Sequence, residues 1–199
     1  NYSLKVVAVD ASGAEISAYG IADNLKVVNY DRQGFAHKGI SDGVGAYNND
    51  GTLKAGAKVL YVTKNTFKTI KASLSDGKKP VEYTGIGDIL LAKQKGQDKT
   101  PLAVRVIGEI KTADAGDQLK TDQKGLLLKG NSETTVMNVT IEGIGDDACF
   151  NGFGLGIING TNVEVRNMAF FNQGSSNDNM EIKGTQHIWV HNNDYFYGE

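Results

Sequence analysis

The sequence predicts an all-β protein built as a parallel β-helix, and three observations lead there. First, 25 Gly stand against only 2 Pro in 199 residues, a composition suited to many tight turns joined by short strands. Second, the helical periods that a doubly wound α/β chain would show between its strands are nearly missing. Third, the second half repeats itself. Val139-Thr140-Ile141, Val163-Glu164-Val165 and Ile188-Trp189-Val190 are one three-residue strand recurring at intervals of 24 and 25 residues. A fixed period of this size means stacked units, each burying against its neighbour an apolar face that it cannot bury alone.

Composition bounds the function. Hydrophobic content of 40% and charged content of 22% permit a packed core. A formal net charge of −2 provides no basic field, which counts against nucleic acid as a partner. No apolar run is long enough for a membrane-spanning helix, so no membrane partner is expected. Asn1 to Lys5 do not begin a signal peptide. The single cysteine, Cys149, rules out an internal disulfide framework and reads as a small buried thiol.

Taken in order, Leu4 to Val9 alternates apolar and polar residues and then turns at Asp10-Ala11-Ser12-Gly13, a strand leading into a hairpin. This opening resembles the last two strands of a fibronectin type III module, with Tyr2 as the tyrosine before the strand. The expected division is therefore a fibronectin-like end at residues 1–20 and a second domain at 21–199. From Tyr30 to Val62 the chain is rich in Gly and Asn, with Gly34-Phe35-Ala36 and Val59 to Val62 as its firmest points. One helix is predicted, with Asn65 or Thr66 as N-cap, Phe67, Ile70 and Leu74 as its apolar face and Gly77 as its stop. Its role is to cap an exposed apolar end. Lys93 to Thr100 reads as a polar loop.

Beyond Pro101 the repeat takes over. Ile157 and Ile182 are also 25 residues apart, and Met168-Ala169-Phe170 and Tyr195-Phe196 follow two of the repeated strands. Period-two alternation turns Val163, Val165, Ile188 and Val190 inward and Glu164 and Trp189 outward. Asn167 and Asn192 follow their strands by the same step, which predicts amides stacked at one bend, each bonding its neighbour's backbone.

The stretch VTIEGIGDDACFNGFGLGIINGTNVEVRNMAFF, Val139 to Phe171, resembles the pectate lyase-like polysaccharide lyases of family 1. Their pattern runs T-I-x-G-x-G, then G-x-G-L/F-x-I, then N-V-x-I-R-N-L/M. NDNMEIKGTQHIWVHNN, from Asn177, is similar to the family's D-x-I-x-I and x-V-W-I-D-H segments, and the N-terminal order of Gly34-Phe35-Ala36, strand and helix follows too. The resemblance covers about residues 30–199, with Lys79 to Thr100 as an insertion.

It implies the N-terminal half of a right-handed parallel β-helix with a short N-terminal capping helix. The activity implied is calcium-dependent β-elimination of pectate (polygalacturonate) by a protein that is secreted, periplasmic or at the cell surface. In such enzymes Ca²⁺ bridges acidic side chains and the substrate carboxylate and acidifies the neighbouring C5 proton. The resemblance marks Asp178 as a calcium ligand, while Ser176 stands where a second acid is usual. The arginine base and the remaining ligands are expected beyond Glu199, so no catalytic residue is assigned in this chain. The implied partner is the remaining C-terminal fragment of the same polypeptide, without which the chain is expected to be inactive.

Two other readings compete. Asp146-Asp147 suggests a pectin-hydrolysing glycoside hydrolase, whose inverting pair would need carboxylates about 6.5–9.5 Å apart. Yet no N-T-D precedes the pair and no G-H-G follows it. A β-helical adhesin or carbohydrate-binding scaffold without catalysis is the third. His37, His187 and His191 lack zinc spacing, and His191 reads as a turn residue.

Overall fold

The computed structural model describes residues 2–25, 34–119, 125–174 and 178–197. The chain divides into two compact units, Asn1–Asp31 and Arg32–Glu199. The boundary set at residue 20 from the sequence falls inside a strand of the first unit.

That unit is an antiparallel hairpin of β1 (Tyr2–Val9) and β2 (Glu15–Leu25). The carboxylate of Asp10 closes its turn, accepting the N–H of Ser12 at 2.8 Å, the N–H of Ala14 at 3.0 Å and the Ser12 hydroxyl at 2.6 Å. These bonds, the Ser12 hydroxyl first, hold the Asp10 carboxyl below its ordinary range.

The second unit contains β3 (Lys58–Val62), β4 (Lys71–Ser75), β5 (Pro80–Thr84), α1 (Ile86–Leu91), β6 (Leu102–Lys111), the one-turn α2 (Thr112–Ala115) and β7 (Leu126–Lys129). It continues through β8 (Val136–Asn151), β9 (Leu155–Ile158), β10 (Thr161–Arg166), β11 (Ala169–Phe171), β12 (Met180–Lys183), β13 (Gln186–His191) and β14 (Asp194–Phe196). Strands β3, β6, β8, β10, β11, β13 and β14 form a seven-stranded parallel sheet, and β7, β9 and β12 a three-stranded parallel one.

The right-handed parallel β-helix is not what these strands make. The sheets are separate, two of the four are antiparallel, and none closes or curls into a helix. A sequence period fixes which strands lie side by side but leaves open whether the sheets close around an axis. Tight turns at Asp10–Gly13 and Asp76–Lys79 also force antiparallel pairs, since parallel neighbours need a long crossover.

The pairing that the period predicts is present within the seven-stranded sheet. Val139, Val163 and Ile188 are register partners across β8, β10 and β13, as are Ile141, Val165 and Val190. The second amide at the bend differs from expectation. Asn167 donates its amide to the carbonyls of Gly143 at 2.7 Å and Gly145 at 3.1 Å, but in the next repeat Asn193 plays that part, donating to Val165 O at 2.9 Å. Asn192 instead contacts Nδ1 of His191. Gly143 is required by this arrangement, because a Cβ there would lie 1.9 Å from the carbonyl oxygen of Asn167.

The capping helix predicted from Asn65 to Gly77 is absent. Phe67 is buried in a run of turns, while Ala72 and Leu74 point inward from β4 with period two. An apolar i, i+3, i+7 series arises equally from a turn followed by a strand. The helix stands instead at α1, which buries Ile86, Ile89 and Leu90. The expected polar loop at Lys93–Thr100 holds a buried ion pair: Lys93 Nζ lies 2.9 Å from Asp98 Oδ1, and both side chains are shielded from solvent.

Aromatic residues tie the core together. Phe150 stacks on Phe153 at 4.7 Å, Phe67 meets Phe153 edge-on at 5.8 Å, and Phe170 meets Phe150 edge-on at 5.6 Å.

Candidate functional site

Asp178 sits at the head of β12, exposed, at the edge of the three-stranded sheet. Its backbone is pinned, because a Cβ on Gly154 would come within 2.2 Å of Asp178 O and Asn179 O accepts the N–H of Leu155. Leu126, Leu128, Leu155, Ile157 and Met180 pack into the core, so the alternate residues face outward. One outward row holds Leu127, Gly156 and Glu181, and the next holds Lys129, Ile158 and Lys183. The two lysines are separated by one strand, a backbone spacing of about 9.5 Å. This face therefore joins the carboxylate of Glu181 to a pair of ammonium groups, while Asp178 precedes the strand, two residues before the inward Met180.

Ca²⁺ takes about 6–8 oxygen ligands, and among the described residues no three His, Cys, Asp or Glu converge. Ser176, the position noted for its missing acid, lies outside the described residues.

The densest polar assembly lies elsewhere and was not foreseen. On the outward face of the seven-stranded sheet, Tyr61, Arg105, Glu142, Arg166 and His191 occupy one register row, with Thr140, Glu164 and Trp189 in another. Glu142 receives Arg105 Nε at 2.9 Å on one oxygen and Arg166 at 2.6 and 3.0 Å on the other, and the hydroxyl of Tyr47 bonds it too. Glu164, fully buried, accepts the Thr140 hydroxyl at 3.0 Å and lies 3.2 Å from His191 Nε2 and 3.7 Å from Arg166. The backbone from Gly43 to Tyr47 covers them: Gly45 N–H donates to Asn162 at 2.7 Å and Ala46 N–H to Thr140 at 2.9 Å. Gly45 has φ +69°, and a Cβ there would meet Thr140 Oγ1 at 2.2 Å. The network is closed to solvent at Glu164 and clamps a strap onto the sheet. Its sequence signal was the repeat interval itself, which aligns 142 with 166 and 140 with 164.

Burial alone would raise the Glu142 carboxyl, but hydrogen bonds from Tyr47, Arg166 and Arg105 outweigh it and hold the group below its ordinary value. A depressed folded pKa gives stability that is present above the unfolded value of about 4.3 and is lost as pH falls through the folded one. Thermal melts across the acid range are therefore expected to show Tm falling below about pH 4.3, and Glu142→Gln should flatten that limb.

Asp146 and Asp147 are exposed where β8 bulges between its pairings of Ile144 and Cys149 with β6. His191 is no turn residue: it lies in β13, its ring stacked on Trp189 at 3.8 Å. Nδ1 of His187 lies 3.0 Å from Ala36 O. Cys149 is buried, and burial, with Glu109 and Asp147 nearby, pushes its thiol pKa up.

No family model matches this chain, and a search of curated proteins finds no significant match.

Proposed function

We propose that this chain is the N-terminal portion of a pectate lyase, acting on polygalacturonate outside the cytoplasm, and that its own contribution is to bind the polymer. The observation that supports this reading is the outward face of β7, β9 and β12. There Lys129 and Lys183 stand in one row to meet uronate carboxylates, with Glu181 in the row beside them and Asp178 ahead of the strand. The ordered motifs from Gly34 to Asn193 point the same way. Calcium and the arginine base belong, on this reading, to a site completed by the C-terminal part of the polypeptide.

Affinity electrophoresis in gels containing polygalacturonate tests it, together with ultraviolet absorbance of unsaturated product. The chain should be retarded without forming unsaturated product, and Lys129→Glu with Lys183→Glu should abolish the retardation. Absence of retardation, or turnover by the chain alone, would refute it. A retarded chain that stays inactive when joined to its C-terminal polypeptide would favour the carbohydrate-binding scaffold.

A further inference from the structure

Late in β6, Gly108 takes φ +70° and the register with β8 slips between Ile107 and Glu109. Beyond the slip the inward row is Ile110, Phe150 and Phe170, all buried, with Tyr195 stacked on Phe170 at 5.4 Å. Period two then turns the next residue of each strand outward. Those residues are Lys111, Asn151, Phe171 and Phe196, register partners across β6, β8, β11 and β14. Three strand spacings, about 14 Å, separate the ends of this row.

One half of the row is polar and the other aromatic. Asn151 donates to Glu109 at 2.7 Å and accepts from Asn172 at 3.0 Å, and Glu109 pairs with Lys111 at 3.2 Å. Phe171 is half-buried and Phe196 is 49% exposed. At the polar end lies a cleft of about 490 Å³, lined by Glu109, Lys111, Ile107, Asp114 and residues Thr63 to Asn65. Its charged residues are two lysines, Lys64 and Lys111, and two acids, Glu109 and Asp114. Asp114 also accepts the N–H of Lys111 at 2.9 Å. Two further acids border the surface. Asp147 Oδ2 is what a Cβ on Gly108 would meet, at 3.8 Å, and the exposed Asp194 ends the register row that begins at Glu109. No cationic surplus is left to hold an anionic chain.

We propose that this row and its cleft bind a neutral pyranose oligosaccharide laid across the strands. A pyranose ring has a face of C–H groups and a rim of hydroxyls. The C–H face suits Phe171 and Phe196, because the face of an aromatic ring is negative. The hydroxyls, each both donor and acceptor, suit the carboxylate of Glu109, the amide of Asn151 and the ammonium of Lys111 standing side by side. One sugar unit is close in length to the strand spacing, so successive sugars fall on successive strands.

A neutral galactohexaose and hexagalacturonate are the probes, titrated into the ¹⁵N-labelled chain. The neutral sugar should shift the amides of Glu109, Asn151 and Phe171, leave those of Lys129 and Lys183 in place, and bind equally in low and high salt. Phe196→Ala should weaken it about fivefold, and Lys111→Ala, at the other end of the row, should weaken it too. No shift in this row, undiminished binding to both variants, or hexagalacturonate bound there as tightly would overturn the proposal. Those outcomes leave the polygalacturonate face untouched, since its failure shows in the gel and at Lys129 and Lys183.

Discussion

Lys93→Met is expected to lower the free energy of unfolding by about 3–5 kcal/mol, read as a drop in the urea midpoint at unchanged slope. The ammonium of Lys93 donates to Asp98 Oδ1 at 2.9 Å and to the carbonyls of Asp98 at 3.3 Å and Thr100 at 2.5 Å. Methionine fills similar volume but leaves Asp98 as a buried carboxylate without its counter-charge. Asp98 also accepts the N–H groups of Ser75 and Thr100, so the pair locks the edge of β4 to the segment leading into β6. For that reason Lys93→Met combined with Asp98→Leu should recover only part of the loss, since both N–H groups are then orphaned. Full recovery by the double variant would show that the ion pair alone mattered. A midpoint unchanged in Lys93→Met would contradict the account outright.

Glu142→Ala is expected to cost about 2–4 kcal/mol, below the full value for a buried pair because both guanidiniums reach solvent. Arg105 and Arg166 are about a quarter exposed, whereas the carboxylate between them is only 6% exposed. Removing it sets two cations face to face and takes the carboxylate acceptor from the Tyr47 hydroxyl, which also accepts Arg105 Nη2 at 3.1 Å and whose ring lies 4.8 Å from the Arg166 guanidinium. The loss should be local before it is global. Amide exchange at Gly45 and Ala46 should accelerate in the variant, while exchange at Val104 and Ile141 in the middle of the sheet follows only global stability. Uniform acceleration across both sets would mean that the strap is not separately clamped.

How much of this was legible in the sequence depends on the range of the interactions. Strands β10 and β13 were readable because their inward Val163, Val165, Ile188 and Val190 alternate with outward residues and recur at a fixed interval. The hairpin at Asp10–Gly13 was readable because its turn chemistry is local. The helix at Asn65–Gly77 was misread because three apolar residues fit both a helix face and a turn plus strand. The closed β-helix failed for a different reason, since the interval specifies neighbours within a sheet and says nothing of how sheets join. Lys93 and Asp98 looked like loop residues, for burial of a charge is decided by what packs over it. At the proposed polymer face, Asp178 was singled out by resemblance, but Lys129, Ile158 and Lys183 fall into one row only through register. Glu142 and Glu164 were hidden likewise: the two arginines on Glu142 and the His191 ring beside Glu164 come from other strands.

The parallel ladders also govern how this chain must reach its fold. Lys58 pairs with Leu102, Leu102 with Val139, Val136 with Thr161 and Thr161 with Gln186, so no ladder of the seven-stranded sheet is closed by a tight turn. Each requires a long loop to close before any contact repays the lost entropy. Refolding is accordingly expected on the order of milliseconds to seconds, the range of chains dominated by distant contacts. Once β6 and β8 have paired, each later strand adds to an existing edge, and growth of the sheet becomes a templated process whose slow step is its beginning.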